Sequence, residues 1–262
     1  MTTAADITIK VYREVEDVIE GTATGGSTTT LVDSTLLGTL PNDHFNGGRL
    51  WILSGTHTGK VFAITDFATT SGTVTFASVT GAIAAGVRYA ICRSAYPWDQ
   101  VVSAVQRALE STWVTGIDST LDGDGETLEF TLPAGVYDVK KVEFENAAIA
   151  NSGYKISTHW RETSDGKLRF DYGYAPADGY TIHVYYRKLH DTITDYTTTI
   201  SNEINAEWLK WTAAKELLWW GVTMHGQQVE YRIEERMNKV MANLQGRLPR
   251  REPDIMIRTA GG

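Results

Sequence analysis

Residues 47–67, GGRLWILSGTHTGKVFAITDF, place glycines, a lysine and several hydroxyls beside strand-like apolar residues, which are the materials of a phosphate-binding loop. A Walker loop wraps phosphate in backbone amides. It needs four residues between its first glycine and a Gly-Lys pair, then Ser or Thr for magnesium. Here three residues separate Gly55 from Gly59, Val61 follows Lys60, and an alternating apolar pattern continues where a helix should begin. This spacing predicts a hairpin whose loop, Gly55 to Gly59, joins strands over 49–54 and 60–67. His57 in that loop is expected to be a solvated polar residue.

Residues 118–129, DSTLDGDGETLE, imitate a second chemistry. Counted from Asp118, Asp122 falls at position five, Gly123 at six and Glu129 at twelve of a calcium-binding loop. Position three is Thr120, and the FTLP that follows reads as a strand instead of an exiting helix. An acidic turn leading into a β-sandwich is expected. No Gly-x-Ser-x-Gly elbow and no HExxH spacing occurs among the six histidines. The expectation is a protein that is not an enzyme, with no catalytic residues, no metal and no cofactor.

The composition, 42% hydrophobic and 21% charged over 262 residues, is globular and leaves room for two or three folded units. A lone cysteine, Cys92, permits no internal disulfide and suits a reducing compartment. The N-terminal MTTAADITIK lacks a signal-peptide pattern, and no apolar run is long enough for a membrane span, so a soluble protein made in the cytoplasm is expected. A net charge of −8 argues against general adhesion to nucleic acid or anionic lipid.

The elements that would position these groups change texture along the chain. Residues 6–92 carry alternating runs such as ITIKVY, RLWILS and GTVTFASV, predicting a small all-β module over 1–94. The spacing of Trp98, Val101, Val102, Val105 and Leu109 predicts an amphipathic helix, with Pro97 at its start. TLEFTLP, VKKVEFEN, YKISTHWRE, KLRFDYGY and YTIHVYYRKL read as five strands of a β-sandwich over 119–190. Two further helices are expected, one from near Ser201 and one over 227–246. The predicted class is α+β: the β module, a bundle of about three helices (95–118 and 191–248) with the sandwich inserted, and an extended tail over 249–262.

The first C-terminal helix places Trp208, Trp211, Trp219 and Trp220 with Leu209, Leu217 and Leu218 around most of its circumference, so it must be covered on nearly every side. The sandwich and the other helices can supply that cover. Neighbouring copies can supply part of it, which makes the four tryptophans candidate subunit-interface residues. In the tail, Arg250, Arg251 and Arg258 flank the apolar run Ile255, Met256 and Ile257, a candidate strand or clip for another protein.

The arrangement GTATGGSTTTLVDSTL followed by NDHFNGGRLWILSGTHTGKVFAITDFATTSGTVTF resembles a small β module of structural proteins in tailed bacteriophages, a match that covers about residues 21–92. The order of elements downstream resembles that of phage head-to-tail connector, or neck adaptor, proteins. The resemblance implies a virion protein assembled in the host cytoplasm as a ring of twelve copies beneath the portal protein. The tail residues Arg250, Arg251, Ile255, Met256, Ile257 and Arg258 would dock on the portal. A tail or second neck protein would bind below, and genomic DNA would pass through without sequence-specific contacts. Two alternatives stand beside it: a tail-tube, tail-terminator or baseplate component, and a carbohydrate-binding β protein using Trp160, Tyr172 and Tyr174.

Overall fold

Thr3 and Asp6 cap each other's backbone at the first helix. The Thr3 amide and hydroxyl each donate to the Asp6 carboxylate at 2.9 Å, and the Asp6 amide donates back to the Thr3 hydroxyl. This reciprocal box turns ITIKVY, expected as a strand, into part of a helix over Ala4–Val15. Its buried positions are Ala4, Ala5, Ile7, Thr8, Ile9, Val11, Tyr12 and Val15, of which all but Ile9 recur at helical spacing. The β-branched alternation of Ile7, Ile9 and Val11 satisfies both periods over so short a run. Packing against a later helix decides the outcome.

The computed structural model describes residues 2–15, 18–93, 95–146, 153–225, 235 and 238–242. The chain divides into unit 1, Met1–Ala108 with Thr192–Gly262, and unit 2, Leu109–Asp191. Strand β1 (Thr2–Thr3) and helix α1 (Ala4–Val15) open unit 1. Next come β2 (Ile19–Thr22), β3 (Gly25–Gly26), β4 (Thr30–Val32), β5 (Arg49–Ile52), β6 (Val61–Ala68), β7 (Thr73–Phe76) and β8 (Arg88–Cys92). Helix α2 (Trp98–Glu110) follows them. Unit 2 holds β9 (Val114–Asp122), β10 (Glu129–Thr131), β11 (Asp138–Asn146), β12 (Tyr154–Ser157), β13 (Trp160–Glu162), β14 (Lys167–Phe170) and β15 (Tyr180–Lys188). The chain returns to unit 1 with β16 (Thr199–Ile200) and α3 (Ala206–His225).

In unit 1 seven strands curl into a half-barrel in the order β2-β8-β5-β6-β7-β4-β3. Leu31, Leu50, Phe67, Val74, Tyr89 and Ile91 fill its core. Gly48 is required where β5 approaches β8, because a Cβ there would lie 2.1 Å from the Cys92 carbonyl oxygen. The buried turn after β4 is tied by Asp33, whose carboxylate accepts from Thr35, the Leu36 amide and the Tyr89 hydroxyl. Burial alone would raise this carboxyl, but these bonds outweigh it and hold Asp33 below the usual carboxylate range. Helix α1 packs on α3, whose first amides are capped by Asn205.

In unit 2 a three-stranded sheet, β10-β14-β13, and a four-stranded sheet, β12-β11-β15-β9, share one core of Phe130, Val142, Leu168, Phe170, Ile182 and Val184. The expected fold class is therefore overturned. Among the described residues the chain is mostly β, built on four sheets, and is not a helical bundle with an inserted sandwich. Helix α2, Trp98–Glu110, lies where the amphipathic spacing placed it, and a nine-residue strand begins at Val114 inside the 95–118 segment. The expected helix over 227–246 is described only at 235 and 238–242, which are helical. The expected extended tail, 249–262, lies outside the described residues.

Candidate interaction surface

The 47–67 stretch is a hairpin. β5 and β6 pair antiparallel with Arg49 opposite Ala63 and Trp51 opposite Val61. His57, expected to be solvated, is buried: Nε2 lies 3.0 Å from the Gly81 carbonyl and Nδ1 lies 3.3 Å from Lys60 Nζ. A carbonyl only accepts and an ammonium only donates, so this pattern assigns the ring proton to Nε2. Lys60 is thus turned toward its own loop, and the imidazole fastens the loop to a second one.

Residues 118–122 belong to strand β9 instead of a calcium-binding loop, and the expected acidic turn is confined to 123–128, where the Asp124 carboxylate accepts from the Glu126 and Thr127 amides before β10 begins. Asp118 is buried, and its Oδ1 accepts from both the amide and the hydroxyl of Thr120. Among the described residues no group of three or more His, Cys, Asp or Glu side chains is placed to hold a metal ion. No described helix is long and apolar enough to cross a membrane.

The four candidate interface tryptophans separate. Trp208 and Trp211, 7% and 4% exposed, lie in the chain's own core, where they offer nothing to a neighbouring copy. Lys210 Nζ sits 4.2 Å from the Trp211 ring centroid and pairs with Glu14 on α1 at 3.2 Å and with Glu207 at 2.8 Å. Lys239 closes on the other Glu14 oxygen at 2.9 Å. Trp220 is half-buried beside Tyr96, and only Trp219, 59% exposed, stands in solvent. Arg250, Arg251, Ile255, Met256, Ile257 and Arg258 lie outside the described residues.

Exposed apolar side chains gather elsewhere. Of eleven exposed large hydrophobic residues among those described, unit 1 holds three, Leu36, Trp219 and Met241, which leaves eight in the shorter unit 2. Strand pairing shows why. The inner face of the four-stranded sheet carries Val142, Ile182, Val184 and Tyr186 into the core. The alternate residues necessarily point outward. On that outer face Lys141 pairs with Glu143 at 2.6 Å and sits 4.5 Å from the Tyr185 ring centroid, and His183 meets Glu145 at 3.1 Å. Hydrogen bonding from Lys141, ahead of the opposing effect of burial, lowers the Glu143 carboxyl; the same bond raises the Lys141 ammonium. Ile117, Tyr154 and Ile156 share the face and stay more than half exposed. Nearby in sequence, Trp113 and Tyr137 stack at 4.2 Å and are exposed as well.

Three further aromatics were expected to stack on sugars. Trp160 is half-buried against the unit 2 core and donates its Nε1 proton to the Ser157 carbonyl. Tyr174 stacks on His159 at 3.6 Å, and Tyr172 is 95% exposed. None of the outer-face residues was singled out from sequence. The signal present was the alternation of YTIHVYYRK, in which every second residue is polar or aromatic.

No protein-family model matches the sequence, and no curated protein matches it.

Proposed function

We infer that this chain is a structural protein of a tailed-phage neck that works by self-association and by contact with its neighbours in the particle. The observation that carries the reading is the set of eight exposed large hydrophobic side chains in unit 2. Scattered apolar residues are normal on a monomer, but Ile117, Tyr154 and Ile156 gather on one sheet face, as a contact surface does. The resemblance of residues 21–92 to a phage β module supports the virion setting. The net charge of −8 suits a DNA conduit that must not grip phosphate. In this reading the partners are further copies of the chain, the portal protein above and a tail or second neck protein below.

The test is sedimentation and negative-stain imaging of the purified chain, alone and mixed with its portal. The expected result is a ring with a central hole about as wide as duplex DNA that binds the portal. A monomer at every concentration that ignores the portal contradicts it. A tail-tube, terminator or baseplate component is the second reading, favoured by the mostly β architecture with its open-edged four-stranded sheet. Stacking into tubes, or binding to a tail protein instead of the portal, selects that reading.

A further inference from the structure

On the outer face of the four-stranded sheet the exposed apolar side chains sit at the two edges, and the middle is charged. Ile117 stands on edge strand β9, and Tyr154 and Ile156 on edge strand β12. Between them the middle strands carry the paired charges of Lys141, Glu143, Glu145 and His183. The other face has its own pattern. Lys155 on β12 lies opposite Phe144, and Asp118 on β9 lies opposite Val184, so acid and base occupy opposite edges on the inner side.

Every neighbouring pair in this sheet is antiparallel. The β9 edge of one sheet therefore runs antiparallel to the β12 edge of an identically oriented sheet beside it. We propose that copies of this chain associate edge to edge, with β9 of one copy adding to β12 of the next and Ile117 opposite Ile156. The same register sets Asp118 opposite Lys155 and Gly116 opposite Ser157. It buries an apolar pair on one face and, on the other, brings Lys155 to the Asp118 carboxylate, whose Oδ1 is already held by Thr120; the β-bulge after Asp118 ends the regular pairing on β9.

Other registers lose these matches. A slip of one residue reverses the faces, and a slip of two places Gly153 or Ser157 opposite Asp118. Edge strands are ordinarily protected from such addition by short length and by lysine. β12 has both protections, and Asp118 on the partner edge converts its lysine into an attraction. The contact is heterologous, with each copy offering two different edges, as a closed ring or a tube requires. The inference rests on the self-association proposed above and names the surface that performs it.

Cysteine cross-linking tests it. Directly opposed residues bring their Cα atoms to about 4.5–5.5 Å, within the span of a disulfide. In the full chain carrying Ile117→Cys and Ile156→Cys together, diamide oxidation should give a ladder of covalent multimers. Each single variant should give none, with buried Cys92 as the silent control. Lys155→Glu, a surface change that sets like charges opposite each other, should weaken assembly about tenfold. A wild-type oligomer whose double variant gives no ladder, or whose assembly ignores Lys155→Glu, overturns this edge contact and leaves self-association by another surface. A wild-type chain that never assembles overturns the proposed function itself.

Discussion

Trp208 and Trp211 on α3 and Ile117 and Ile156 on the four-stranded sheet are alike as sequence: large apolar residues inside regular elements. In the fold the tryptophans are 7% and 4% exposed, whereas the isoleucines are 57% and 61% exposed. The difference lies in what covers them. Helix α3 is packed by α1, and the charges along that packing close on Glu14 from two lysines. The outer face of the unit 2 sheet has lateral salt bridges but keeps its apolar edges in solvent. An apolar residue marks an interface only when its own chain leaves it uncovered, so the most hydrophobic helix of the sequence is the less informative region.

Substitutions can break this contrast at several scales. The largest effects belong to the cores. Phe170→Ala should cost unit 2 about 3–5 kcal/mol and Phe67→Ala about as much in unit 1, both measured by denaturant unfolding. Equal losses at exposed Tyr154 would erase the distinction. Next come two glycines. A Cβ at Gly48 meets backbone in unit 1, whereas a Cβ at Gly116 in unit 2 meets the Tyr186 ring at 2.3 Å, and a ring can swing. Gly48→Ala should therefore cost about 3 kcal/mol and Gly116→Ala nearer about 1 kcal/mol.

Protonation sharpens the comparison further. Asp33 is held below the usual carboxylate range, so its stabilisation is present above that range and fades as pH falls through the lowered value. Glu143 in unit 2 has the same sign, and its pair is lost again at high pH as Lys141 deprotonates through its raised value. Because Lys141 is exposed, solvent screens that pair. Asp33→Asn should flatten the acid side of a stability–pH curve visibly, and Glu143→Gln much less. Smallest of all, Ile117→Ser and Tyr154→Ser should leave the unfolding midpoint of the monomer within about 0.5 kcal/mol of wild type.

Much of the strand content was legible because its chemistry is local. RLWILS, GTVTF, KLRF and YTIHVYYRK alternate apolar and polar residues between turn-forming neighbours, and each forms a strand. Helices α2 and α3 were legible from their spacing and length. Helix α1 was missed because ITIKVY satisfies both periods, although Thr3 and Asp6 carried the capping signal. Strand β9 was hidden by Gly116, Asp118 and Asp122, residues usually read as turn formers, one of which is a glycine only because the Tyr186 ring lies across it. The candidate surface was least legible. Whether Ile117 and Ile156 share a face depends on pairings through β15 and β11, between segments far apart in sequence, and no local pattern determines them.

The central claim is that unit 2 is where this chain meets its neighbours, and it is tested most directly by sedimentation velocity on the wild-type chain and on Ile117→Asp with Ile156→Asp. The wild type should form a concentration-dependent oligomer and the double variant a monomer with an unchanged unfolding midpoint. A double variant that assembles as readily as the wild type would contradict it.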